Sequence, residues 1–190
     1  MDTIGDAVKE YNKSLTTVGD YSKEEDARSD FLSAFSATGY FRIFEEVECW
    51  YFGGSVFGDK PTGRIDFLLT PQKSLIDAGW RNGIVGVEVK KSGHKAGPLL
   101  CQMIDYSKAV FRLPDSSGCS LVCLSSVFSF PSFEGGGIIG SIMANHRIGR
   151  AVIDKHGCGL VVSSSWAFRH HRERGLHFVN LSCGYKNGSR

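Results

Sequence analysis

The chain has 190 residues, 42% hydrophobic and 22% charged, with a formal net charge of +2. That is the composition of a soluble globular protein, and the length suits one domain with a sizeable core, read as residues 1–190 with a nucleus over about 22–125 that the remainder completes. No apolar run approaches a membrane span and the first residues lack a basic, apolar leader, so the expectation is a cytoplasmic protein with no membrane partner. The charge is uneven: residues 1–95 hold 12 Lys/Arg and 15 Asp/Glu, whereas residues 96–190 hold 10 and 5. A basic second half beside an acidic site would suit a phosphate-backbone substrate.

In chain order, a short helix is expected over 2–12 and a polar linker to Tyr21. Ser22-Lys23-Glu24-Glu25 has the form of a capping box, which opens a helix running to about Ala37 and stopping at Gly39. Ala27, Phe31, Leu32, Ala34 and Phe35 define its apolar stripe; Glu24 falls in the middle of that stripe and Glu25 toward its edge. A strand is expected over 41–52; its Glu46 and Glu48 read as a solvated face, with one of them facing the cleft as the alternative. A flexible loop over 53–61 leads to Gly63-Arg64-Ile65-Asp66-Phe67-Leu68-Leu69, a β-prone run, and a polar loop from Thr70 to Gly83 follows.

In Val85-Gly86-Val87-Glu88-Val89-Lys90, valines alternate with Gly, Glu and Lys, so Glu88 and Lys90 project from one face of a strand. If this run pairs with the preceding one, Asp66 approaches the same place. Two carboxylates that close repel unless a cation compensates them, and a hard divalent cation takes oxygen ligands. A helix is expected next, over 98–111, with Gln102 and Tyr106 four apart on one face. Residues 120–124 read as a buried strand and 125–137 as a mobile, Phe-containing loop. A helix over 138–155 would carry His146, Arg147 and Arg150 on its polar side, and closing strands over 159–164 and 177–181 would flank the basic cluster Arg169 to Arg174. That cluster reads either as a DNA-backbone contact or as a solvated hairpin tip. Six cysteines with no Cys-x-x-Cys pair read as buried thiols rather than an iron–sulfur cluster.

Asp66, Glu88-Val89-Lys90 and Gln102-x-x-x-Tyr106 together resemble the motifs of the PD-(D/E)xK nuclease superfamily, in particular its RecB-like and lambda-exonuclease-like branches. The match covers roughly residues 22–125, and Ile65 stands where a literal first motif has proline. The resemblance implies an α/β fold with a restriction-endonuclease-like core, a mixed central β-sheet flanked by helices. It implies a Mg²⁺- or Mn²⁺-dependent nuclease in which Asp66, Glu88 and the Val89 carbonyl hold metal and Lys90 orients water. Glu24 would be an auxiliary ligand, and Gln102 and Tyr106 would hold the nucleic-acid strand. Lys91 and Lys95 flank the site as phosphate contacts or as solvated lysines. DNA is the expected substrate, with RNA and homo-oligomerisation left open. The alternatives are a non-catalytic nucleic-acid-binding protein on the same fold, or a dimeric junction-resolving endonuclease.

Overall fold

The computed structural model describes residues 20–51, 60–80, 83–115, 118–131, 137–162 and 165–177. The helix expected over 2–12 and parts of the loop over 53–61 and of the strand over 177–181 lie outside them. The elements are α1 (Glu24–Ser36), β1 (Phe41–Trp50), β2 (Gly63–Pro71), α2 (Lys73–Asp77), β3 (Val85–Val89), α3 (Ala96–Lys108), β4 (Val110–Asp115), β5 (Gly118–Cys123), β6 (Ser126–Phe130), α4 (Gly137–Asn145), β7 (Ile148–Asp154), β8 (Gly157–Val162), β9 (Ser165–His171) and β10 (Gly175–His177). They build an α/β fold on one mixed sheet of ten strands in the order β10-β9-β8-β7-β6-β3-β2-β1-β4-β5. The centre, β3-β6-β7, is parallel, and both wings are antiparallel. No helix among the described residues is long and apolar enough to cross a membrane.

Apolar clusters cover the two faces of the sheet. On one face, Ala27, Phe31 and Phe35 of α1 are fully buried at four-residue spacing against Phe67, Val87, Val89, Phe128, Phe130 and Phe168. Phe31 stacks on Phe35 at 4.4 Å and on Phe67 at 5.0 Å. On the other face, Leu99, Leu100, Met103 and Tyr106 of α3 and Met143 of α4 meet Val47, Cys49, Ile65, Leu68, Val127 and Ile148. Gly86 lies under this second layer, where Leu124 and Ile65 fill the space a β-carbon would take.

Several expected elements are corrected. The capping box does not form: the cap residue is Lys23, with no side-chain cap hydrogen bond. The helix expected over 98–111, α3, starts at Ala96 and stops at Lys108, because the chain turns extended at Ala109 to enter β4. Within the polar loop after β2 lies the short helix α2, anchored by buried Leu75. Residues 126–130, expected in a mobile loop, are instead a strand buried at every position beside β3. The helix expected over 138–155 ends at Asn145; the chain reverses through Arg147, at φ +55, and continues as β7. Inner parallel strands are covered on both faces and lose the polar–apolar alternation that marks a strand. Of the cysteines expected to be buried, Cys49 and Cys158 are, but Cys101 and Cys123 are exposed. Of the basic cluster, Arg172 to Arg174 form an exposed turn between β9 and β10, as the hairpin-tip reading expected, but residues 169–171 lie in β9 and Arg169 is buried, its guanidinium donating to Asp154 Oδ1 and Oδ2 at 2.8 and 2.9 Å. It is therefore unavailable to a DNA backbone.

Phe128 separates a buried strand from a mobile loop. Phe128→Ala is expected to destabilise the protein by about 3–5 kcal/mol in urea denaturation, as truncation of a fully buried aromatic does; a loop residue would change it by under about 0.5 kcal/mol.

Candidate active site

The site forms where β2 and β3 part. Their ladder runs Leu69↔Val85, Leu68↔Gly86, Phe67↔Val87 and stops. At the next position the Val89 amide donates not to a backbone carbonyl but to Asp66 Oδ2, at 2.7 Å. The strand on the other side of β3 stays paired, with Lys90 N–H donating to the Phe130 carbonyl at 2.6 Å. The sheet therefore opens on one side of Glu88-Val89-Lys90 only.

A change of phase in two strands puts acids at this opening. In β2, Phe67 and Leu69 face α1, whereas Ile65 and Leu68 face α3, so the alternation slips at Asp66. In β1, Phe41 and Ile43 face α1, whereas Val47 and Cys49 face α3. That slip is made at Glu46, whose φ of +54 is left-handed. Glu45 pairs with Phe67 and Val47 with Ile65, so Glu46 and Asp66 lie across from each other at the shared kink.

Four carboxylates and three cations meet here. Lys90 Nζ is 2.6 Å from Glu88 Oε1 and 3.6 Å from Glu24 Oε1. Arg28, one turn after Glu24 on α1, donates through one terminal nitrogen to Asp66 Oδ1 and lies 2.5 Å from Glu46 Oε1. Arg64 Nε meets the other oxygen of Glu46 at 2.5 Å. Glu88 is only 3% exposed, and its Oε2 has no hydrogen-bond partner. Burial, and then the charge of Asp66, push the Glu88 carboxyl up from its ordinary value of 4.5 to about 7, against the pull of Lys90. Burial also raises Asp66, opposed by the Val89 amide and by Arg28. Burial alone would lower Lys90, but the Glu88 carboxylate outweighs it, and Lys90 stays a cation at neutral pH.

The structure thus brings together Asp66, Glu88, Lys90 and Glu24. Gln102 and Tyr106 do share a face of α3: Gln102 Nε2 donates to Tyr106 Oη at 3.0 Å, and Tyr106 Oη donates to the Arg64 carbonyl at 2.6 Å. Tyr106 is 1% exposed, so its hydroxyl braces β2 from beneath. Lys91 and Lys95 are exposed on the loop beyond β3. Glu46 corrects the expectation of a solvated face, since it joins Arg28 and Arg64, whereas Glu48 pairs with Arg112 at 3.0 Å. Arg28 and Arg64 are the residues that sequence reasoning missed. Glu24 and Arg28 at i and i+4 on the buried stripe were the available signal for one of them.

The donor set suits a hard cation: two carboxylates and the Val89 carbonyl, all oxygen, with Glu88 Oε2 buried and unpartnered. Among the described residues no group of three or more His, Cys, Asp or Glu side chains is arranged to hold a metal, and Arg28 holds the Asp66 oxygen such an ion would need. No family model, curated protein or solved structure matches this chain.

The raised carboxyl of Glu88 has a consequence for stability. A carboxyl held above its unfolded value binds its proton more tightly in the folded state, so its contribution is full below about pH 4.5 and is lost as pH rises through about 7. With chelator present, Glu88→Gln is expected to match wild type at pH 4.5 and to exceed it at pH 8, by up to roughly 3 kcal/mol. Urea denaturation at the two pH values measures it, and equal differences would contradict the burial argument.

Proposed function

We propose that the chain is a Mg²⁺- or Mn²⁺-dependent nuclease that hydrolyses phosphodiester bonds, with DNA as the substrate class. The observation that carries the reading is the convergence of Asp66, Glu88 and Lys90 where the sheet opens, with a buried carboxylate oxygen of Glu88 left unpartnered. The order α1-β1-β2-β3-α3, followed after the β4–β5 hairpin by β6 parallel to β3, supports a restriction-endonuclease-like core.

Asp66, Glu88 and the Val89 carbonyl would hold the cation, which when bound supplies charge to the attacking and leaving oxygens. The chain's own groups do the rest. The Val89 amide fixes the Asp66 carboxylate, so the acid does not need to be oriented during reaction. Lys90, a cation anchored on Glu88, donates to the attacking water and offsets charge that develops on the phosphate. Being protonated, it acts as donor and electrostatic partner rather than as base. Gln102 and Tyr106 brace Arg64, keeping the β2 backbone in place beside Asp66. Lys91 and Lys95 would contact phosphates flanking the cleaved bond.

One observation favours a non-catalytic nucleic-acid-binding protein: the Arg28 guanidinium already compensates Asp66 without any metal. Cleavage separates the two. Linear and closed-circular DNA are incubated with Mg²⁺ or Mn²⁺, and wild type is compared with Asp66→Ala and Lys90→Ala. The expected outcome is metal-dependent cleavage by wild type that falls by at least about 100-fold in both variants, with their circular dichroism unchanged. Full activity in both variants removes the assignment. Absence of cleavage by wild type, with no metal bound in calorimetry, moves it to the binding protein.

A further inference from the structure

Arg28 holds two carboxylates through one nitrogen, Asp66 on β2 and Glu46 on β1. Its guanidinium lies over the Phe67 ring, 5.1 Å from the centroid. That ring keeps the side chain against the sheet whichever acid it favours. Glu46 does not owe its position to chance contact: its left-handed backbone puts it opposite Asp66, and Arg64 fixes its second oxygen. The guanidinium nitrogen thus bridges the two acids, so releasing Asp66 leaves it still held by Glu46.

A divalent cation on Asp66 and a guanidinium on the same carboxylate oxygen are incompatible, because like charges within a few ångströms repel. The guanidinium is a permanent cation, so it cannot resolve the conflict by losing a proton. Resting on the reading of Asp66 and Glu88 as metal ligands, we propose that Arg28 is an internal competitor for the metal, bridging Asp66 and Glu46 in the metal-free protein and held by Glu46 alone when the divalent cation binds. Arg28 and Glu46 are then positioning residues: they touch neither substrate nor metal, yet they set metal affinity. In the metal-free state the exchange keeps Asp66 compensated; in the loaded state it keeps Arg28 compensated.

Calorimetric titration of Mn²⁺ into the full chain at pH 8 tests this without reference to activity. Arg28→Gln is expected to bind Mn²⁺ about tenfold more tightly, the weight of one charge-assisted hydrogen bond that no longer has to be broken. Glu46→Gln removes the acid that would hold the released guanidinium and is expected to bind several-fold more weakly than wild type. The double variant is expected to match Arg28→Gln alone, since Glu46 acts only through the guanidinium. Unchanged or weaker binding by Arg28→Gln overturns the proposal. A double variant clearly weaker than Arg28→Gln also overturns it, by making Glu46 a direct ligand. Should Arg28→Gln lose its fold by circular dichroism, Arg28→Lys carries the same test. Its compact ammonium cannot reproduce the planar fork, and a few-fold tightening is expected, with no tightening overturning the idea. Asp66→Asn separates this failure from that of the metal site. If it leaves Mn²⁺ binding intact, the ligand assignment falls and the exchange with it; if it abolishes binding while Arg28→Gln changes nothing, the exchange alone falls.

Discussion

Keeping carboxylates off water beside one another demands compensation, and the arrangement around β2 and β3 answers that demand. Asp66 takes one main-chain amide and one guanidinium; Glu88 takes one ammonium and leaves an oxygen without a partner. With four acids against three cations the group carries a formal excess of one negative charge when every acid is ionised. Burial is the first cause of the lifted titration of Glu88, and the neighbouring Asp66 carboxylate, part of that excess, is the second. A proton or an added cation removes the excess, which links the electrostatics of the resting state to the chemistry proposed for the loaded one.

The scaffold positions these charges from three directions. α1 is locked by Ala27, Phe31 and Phe35, and its first turns deliver Glu24 and Arg28 to the sheet opening from one face. α3 approaches from the other face and braces β2 through Tyr106. β3, buried throughout and paired with β6 up to Phe130, fixes the backbone between Glu88 and Lys90. Because each part rests on fully buried residues, the backbone that carries these charges has little freedom to relax, although the Arg64, Glu46 and Glu24 side chains are partly exposed. A preorganised site needs this stiffness.

Some of this was legible in the residues. The stripe of α1 follows from spacing, and Glu88 and Lys90 stand out because a strand buried on both faces has no ordinary use for them. Ser126–Phe130 and Ile148–Asp154 escape a reading from pattern because inner parallel strands lack alternation; the Ser and Gly around the first suggest a loop, and the apolar spacing around the second suggests a helix. Arg28 was hidden, and Glu46 stood only as one of two acids that could face the cleft, for a different reason. Their roles depend on a slip of phase shared by two strands, and a slip leaves only a broken alternation that resembles an ordinary exposed stretch. Local pattern locates the acids; tertiary pairing decides which cation each acid meets.

The backbone at Glu46 carries a consequence for how this sequence can change. A left-handed φ of +54 costs a residue with a β-carbon about 1 kcal/mol or more, a cost glycine escapes. The half-exposed pairs that Glu46 makes return at most a similar amount. Drift under selection for thermal robustness alone would therefore tolerate glycine in place of Glu46, erasing the carboxylate while leaving the fold about as stable. Stabilising campaigns on this scaffold should hold that position fixed, since a screen for melting temperature would not penalise its loss.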